Sequence, residues 1–264
     1  MNASEQARAA STGPRGCLYL VPAPLDFGCS ESGDLASSMP MRTLEIAASL
    51  NYWICENAKS TRAYLKRVGE ICPLRVPIQS QILLELPRLV HKKGDHQGNF
   101  DARHLLDAAL EGHAMGLVSE AGMPAVADPG ASVVRAAHDL GVEVKPLVGP
   151  VSLLLALACS GLNGQSFAFV GYVPTDPAER ASRLQALEAV ALKTLQTQVF
   201  IETPYRNQAV LQTLLSSLKP GTRLATSSGL TLDTAVNYSA SMATWQERRW
   251  TLDNGTPTVF CIGP

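Results

Sequence analysis

The stretch Val118-Ser-Glu-Ala-Gly-Met-Pro-Ala-Val-Ala-Asp-Pro-Gly130 decides how this chain is read. The apolar run Met115-Gly-Leu-Val-Ser119 has the length and content of a buried strand, and it empties into small residues and two prolines. Glycine and alanine contribute little to packing, but they let main-chain N–H groups approach a ligand closely. After this loop, Asp128 is placed to cap a helix starting at Pro129. Val133, Val134, Ala137 and Leu140 then form its inward side and Gly141 its end. A strand, a bare loop and a helix in succession form half of an α/β unit.

Working outward, the same alternation recurs. Strand-like CLYLV (17–21) and YWICE (52–56) flank helix-like RTLEIAASL (42–50), and KSTRAYLKRVG (59–69) is helical. An amphipathic segment covers 99–112, and VEVKPLV (142–148) supplies another strand. This pattern predicts a parallel sheet with crossover helices. Beyond it, SLLLALACSG (152–161) reads as a buried helix. Strands are expected at 166–174, 197–204, 223–228 and 256–263, with helices at 178–194 and 205–218. Several strands with few helices predict a mixed sheet. The expected division is a disordered tail at 1–15, an N-terminal α/β domain at 16–147 and a C-terminal α/β domain at 148–264.

Composition bounds the partners. Twenty-two basic and 23 acidic residues give a net charge of -1, so no overall field draws the molecule to nucleic acid or membrane. Six scattered cysteines form no CxxC pair, and the five histidines show no ligand spacing, so no metal is expected. The first residues lack the apolar core of a signal peptide, and the longest apolar run is too short to span a bilayer. The expectation is a cytoplasmic protein. There is no GxxxxGK[ST], GxGxxG, HExxH or GxSxG, which removes P-loop, nicotinamide, zinc-protease and serine-hydrolase chemistry.

Four strand ends are rich in small residues, prolines or hydroxyls: 120–124, 149–152, 202–206 and 227–231. Ligands of open α/β sheets bind beyond such ends. GCLYLVPAPL, VSEAGMPAVADPG, PLVGPVSLLLALACSGL, FAFVGYVP and QVFIETPYR together resemble the tetrapyrrole methylase superfamily. Within it they are most similar to the branch of ribosomal RNA small-subunit 2'-O-methyltransferase I. That resemblance implies S-adenosylmethionine (SAM), with S-adenosylhomocysteine as product, in a cleft between two α/β domains. It implies that the backbone of Ala121, Gly122 and Met123 lies against the cofactor and that Glu120 holds a polar group such as its amine. Gly149, Pro150 and Ser152 fall in the same assignment, Ser152 also standing as a helix cap. Glu202, Thr203, Ser228, Pro257 and Thr258 map to the adenosine side. The resemblance further implies a homodimer, and ribosomal RNA or the small ribosomal subunit as partner.

The acceptor side departs from the family. Asp26-Phe27 replaces a Gly-Asn pair, ENAK (56–59) replaces Glu-Asp-Thr-Arg, SGLTL (228–232) lacks the usual flanking charges, and ETPYR carries Thr-Pro-Tyr in place of Ser-Pro-His. The candidate catalytic residues are therefore only Asp26, Glu56 and Arg62. Lys59, Arg62, Lys66 and Arg206 are the cations placed to meet RNA. Two alternatives stay open: a tetrapyrrole or other small-molecule acceptor, and a non-catalytic SAM-binding protein.

Overall fold

The computed structural model describes residues 14–93, 95 and 100–264, with the side chains of 91–93 excepted. The expected tail lies outside these residues up to position 13; Pro14 and Arg15 are irregular. The chain forms two compact units. One comprises residues up to Pro24 together with Asp34–Pro150, and the other Leu25–Gly33 together with Val151–Pro264. The first therefore runs past the 147/148 boundary read from the sequence, and residues 25–33 belong to the second.

In chain order the first unit contains β1 (Cys17–Leu20), α1 (Leu35–Ser38), α2 (Met41–Ser49), β2 (Tyr52–Cys55) and α3 (Ala58–Ile71). It continues with β3 (Ile82–Glu85), α4 (Arg88–Lys93), α5 (Asp107–Leu110), β4 (Met115–Val118), α6 (Ala131–Asp139) and β5 (Glu143–Pro146). Its five strands pair in the order β3-β2-β4-β1-β5, all parallel. The central strands are apolar on both faces because both faces are covered. Leu44, Ala47, Leu65 and Val68 of α2 and α3 pack with Trp53 and Cys55 on one side. Leu106, Ala109, Val133 and Ala137 pack with Ile54, Met115 and Leu117 on the other. Gly116 is the adaptation that makes the first side close: a Cβ there would stand 2.5 Å from the Trp53 ring. The indole N–H of Trp53 is satisfied by Gln81 Oε1 at 3.0 Å.

The second unit contains α7 (Ser152–Ser160), β6 (Phe167–Tyr172), α8 (Pro177–Thr194), β7 (Thr197–Glu202) and α9 (Asn207–Ser217). β8 (Arg223–Ser228), β9 (Val236–Ser241), α10 (Met242–Arg248) and β10 (Thr258–Gly263) complete it. The sheet order is β6-β7-β10-β8-β9; β6 and β7 are parallel and the other pairs antiparallel. Phe200 and Phe260 stack at 5.1 Å in a core shared with α8, α9 and α10. The opposite face carries Leu153, Ala156 and Leu157 of α7 against Val199, Ala225 and Val259.

Several local expectations are corrected. The amphipathic 99–112 segment, whose first residue lies outside the described residues, forms a 3-10 turn at Arg103–Leu106 and the single-turn α5. β3, β9 and α10 carry too few periodic residues to declare themselves. Helix α7 is not wholly buried: Leu154 and Leu155 are exposed. Ser152 is its first helical residue rather than its cap, a position held by Val151 with no side-chain bond. Asp128 does not cap α6 either. The helix starts after Gly130, whose φ is +135°. Its first amides are met by the distant Asp95, which accepts from Gly130 N at 2.9 Å and Ser132 N at 2.8 Å, and also from the Ser132 hydroxyl. Burial opposes ionisation of Asp95, yet these hydrogen bonds hold its carboxyl below the ordinary value.

Candidate functional site

In the first unit, three loops meet at the C-terminal ends of β1, β4 and β5. Ala23, after β1, pairs with Gly122, after β4: Ala23 N donates to Gly122 O at 2.9 Å and Gly122 N to Ala23 O at 3.0 Å. Gly122 sits at φ +69°, so the glycine is needed for this turn as well as for space. Its N–H is already committed, and a cofactor lying along this loop would meet Ala121 and Met123, both half-buried. Gly149, after β5, is required by close approach, because a Cβ there would stand 2.3 Å from the Pro22 ring. Pro150 is buried beside it. Ala125 and Ala127 are also held at positive φ, 64° and 65°, so this loop stores backbone strain. An apolar cavity of about 640 Å³ opens against it, lined by Met123, Pro124 and Val126, Val134 of α6, and Leu20 and Pro146.

The rim of this region carries carboxylates. Glu56 follows β2 and Glu120 follows β4, neighbouring strands in register at Cys55 and Val118. Glu56 Oε2 accepts from Glu120 N at 3.3 Å. Asp128 lies close enough to feel both. Burial first, and then the negative charges of Glu56 and Glu120, push its carboxyl up to about 7. The sequence marked Asp128 only as a helix cap, and its partnership with Glu56 and Glu120 was not legible. The one available signal was its place ten positions after the strand in a loop otherwise without charge beyond Glu120.

The second unit gathers its assigned residues into one row. Thr258 of β10 is in register with Glu202 of β7 on one side and Ser228 of β8 on the other. Glu202 is buried. Its Oε1 accepts from Thr203 N at 2.8 Å and the Thr203 hydroxyl at 3.2 Å, and its Oε2 is 3.1 Å from Arg206 Nη2. Arg206 is itself fixed by Pro174 O and Thr175 Oγ1. It is therefore a half-buried brace for Glu202 rather than a free surface cation. Asn207, fully buried, donates to Asp253 O, Thr256 O and Thr258 Oγ1, and Thr258 Oγ1 lies 2.7 Å from Ser228 Oγ. Glu202 and Thr258 thus spend their polar atoms inside the protein. Thr203, Ser228, Pro257 and Ser152 keep part of their surface open.

The three candidate catalytic residues fall on separate elements, one in the second unit and two in the first. Asp26 belongs to the second unit, is buried, and accepts from Gly33 N at 2.9 Å, which shapes the 25–33 segment. Glu56 belongs to the carboxylate rim. Arg62 is exposed on α3 and donates to its own helix, to Ala58 O at 3.5 Å. Among the described residues no group of His, Cys, Asp and Glu has the arrangement of a metal site, and no helix is long and apolar enough to cross a membrane. All six cysteines are free.

A doubly covered parallel sheet followed by a mixed sheet, with glycine-bearing loops and carboxylates at strand ends of the first, defines a two-unit α/β protein. Comparison makes the class specific. Residues 36–244 match the family described as Tetrapyrrole (Corrin/Porphyrin) Methylases. The chain is 30% identical over 250 residues to Ribosomal RNA small subunit methyltransferase I of Mesorhizobium japonicum, covering 94% of this chain and 75% of that one. It is 30% identical over 201 residues to the protein of the same name from Vibrio cholerae, covering 76% and 60%. The chain thus spans three quarters of the first relative's length but less than two thirds of the second's. Its fold is also that of uroporphyrin-III-C-methyltransferase from Thermus thermophilus (18% identity, TM-score 0.52, 94% of each chain). The methyltransferase CobJ matches similarly (19%, 0.53, 94% of each). The chain belongs to the tetrapyrrole methylase family, and by that membership it is a methyltransferase.

Proposed function

We propose that this protein uses SAM to methylate a ribose 2'-hydroxyl of ribosomal RNA, acting in the cytoplasm on the small ribosomal subunit. The observation that carries the reading is the identity of about 30%, sustained over 94% of the chain, to a protein named for that RNA. The first-unit rim suits the cofactor by the chemistry of its donors. SAM carries a sulfonium and an ammonium, and the ends of β2 and β4 present Glu56, Glu120 and Asp128, whose mutual repulsion a cation relieves. Glu120 is assigned to the ammonium, with Ala121, Met123 and the Gly149-Pro150 turn bounding the cofactor. When bound, SAM supplies a methyl group activated by its positive sulfur. The chain's part is to hold that methyl in line with the acceptor and to keep water out, which accounts for much of the rate in such displacements. A hydroxyl acceptor also gives up a proton. Asp128, whose carboxyl is raised to about 7, is assigned to take it. The protein works as a homodimer in this reading.

The test is incubation of purified protein with tritiated SAM and, in parallel, naked small-subunit RNA, small ribosomal subunits and tetrapyrrole precursors. Label in the subunit fraction, located on a ribose by nuclease digestion and mass spectrometry, is the expected result. Label only in the tetrapyrrole fraction replaces the acceptor. Bound SAM with no label anywhere indicates a binding protein. Light scattering at twice 28.1 kDa tests the dimer.

A further inference from the structure

The charge of this chain is nearly balanced overall and sharply unbalanced in one place. Helices α3 and α4 contain seven of the 22 basic residues, Lys59, Arg62, Lys66, Arg67, Arg88, Lys92 and Lys93, but only one of the 23 acidic ones, Glu70. The buried side of α3 is Thr61, Tyr64, Leu65 and Val68, turned to the core. Lys59, Arg62 and Lys66 follow at spacings of three and four on the other side, and all three are exposed, as is Arg88. Among the described residues, Lys59, Lys66 and Arg88 have no ion-pair partner.

These helices leave the sheet at the same end as the carboxylate rim. β2 ends at Cys55, Glu56 follows, and α3 begins at Ala58. The neighbouring strand β3 is in register with β2 at Cys55 and Glu85, and Glu85 Oε1 caps α3 by accepting from Ala58 N at 2.6 Å. Glu85 is therefore already engaged. From Lys59 to Lys66 the stripe runs about 10 Å at 1.5 Å per residue. That is too long for one small anion and suits a chain of successive phosphates. Ala63 and Glu70 share this side of α3 with its cations, and one exposed leucine, Leu89, stands beside Arg88 on α4, less than the continuous apolar face that buries a helix in a lipid surface.

We propose that the exposed cationic side of α3, continued by Arg88 of α4, is the surface on which the acceptor RNA's phosphate backbone docks beside the rim. This rests on the RNA reading above and adds to it where the RNA lies. Phosphate contacts of this kind fix position without reading sequence. A stripe that begins next to Glu56 would carry a strand toward the transferring methyl. It also explains how a chain of net charge -1 engages a polyanion: the positive charge is local.

The test uses the full chain with Lys59, Lys66 and Arg88 all changed to Glu, and a milder form with all three changed to Gln. Binding to transcribed small-subunit ribosomal RNA is followed by fluorescence anisotropy between 50 and 200 mM salt. Affinity is expected to fall roughly 10–100-fold at the low end, and the slope of log affinity against log salt to become shallower by about 2 to 3. SAM affinity by calorimetry should stay unchanged. A folded variant that binds RNA with the parent's affinity and salt slope, while the parent methylates small subunits, overturns this surface and leaves the RNA reading standing. Loss of binding to phosphatidylserine vesicles with RNA binding intact assigns the stripe to membrane and also overturns it. If the parent neither binds nor methylates RNA, the RNA reading falls and this surface falls with it.

Discussion

The strand-end rim of the first unit and the polar row of the second contain similar residue types and treat them in opposite ways. In the row, Glu202 faces Arg206, and Asn207, Thr258 and Ser228 bond one another. Apart from the buried, unpartnered Asn207 Oδ1, the charges and hydrogen bonds of this row close on themselves. On the rim, the charges acting on Asp128, those of Glu56 and Glu120, are both negative, and backbone strain at Ala125 and Ala127 lies in the same loop. A closed network stabilises the fold. A carboxyl whose ionisation burial and like charges oppose is a group of the kind that clusters at functional sites. Residues that look equally ligand-like in sequence separate on this criterion.

The largest expected effect breaks the closed side. Arg206→Ala would leave Glu202, whose side chain is 1% exposed, buried and without its cation. Removing one partner of a buried pair costs about 3–5 kcal/mol, so denaturant unfolding should show a loss of that size. If stability is unchanged and RNA affinity falls instead, Arg206 is a binding residue and the contrast between the two regions fails.

A smaller effect, on the order of 2 kcal/mol once partial exposure is allowed for, is expected at Asp128. Its folded-state carboxyl is raised from 3.8 to about 7, so between those values the folded protein holds a proton that the unfolded chain has lost. Stability should therefore fall as pH rises from about 4 to 7 and level off above. Asp128→Asn removes the dependence: the variant matches the parent near pH 4 and exceeds it at pH 8. A parent profile flat from pH 4 to 8, in urea titrations corrected against the variant, removes the tension from the rim.

How much of this was legible in the sequence follows the same divide. The parallel sheet was readable because β1, β2 and β4 are short apolar runs set between strongly periodic helices. β3 and β9 were not, since both are mixed in polarity at the edges of their sheets, where neither period stands out. The bare loop at 120–124 was found, yet half of its reason was hidden. Gly122 serves the bridge to Ala23, and Gly149 serves Pro22, contacts set about 100 or more positions apart. Asp95 capping α6 was hidden for the same cause, because Asp128 stood where a local cap is expected and the true one came from far along the chain. Sequence spacing reports local partners and is silent on those that topology brings in.

The finest test asks what the rim is for. With Glu120 on the cofactor's ammonium, Glu120→Gln should weaken SAM about tenfold, near 1.4 kcal/mol. It should weaken S-adenosylhomocysteine by the same factor, since both carry the ammonium and only SAM carries the sulfonium. A loss confined to SAM would move Glu120 to the sulfur. The same substitution removes one of the two charges raising Asp128, so the pH at which stability levels off should drop below 7. The two readouts are independent, one needing cofactor and the other none. A lowered pH midpoint with unchanged affinity for both compounds would mean that the rim is strained but is not where the cofactor's charge is met. A fall in both affinities with no change in midpoint would mean that Glu120 binds the cofactor without acting on Asp128. Only the joint result, weaker binding of both compounds and a lower midpoint, makes the tension on the rim and the cofactor's charge two sides of one site.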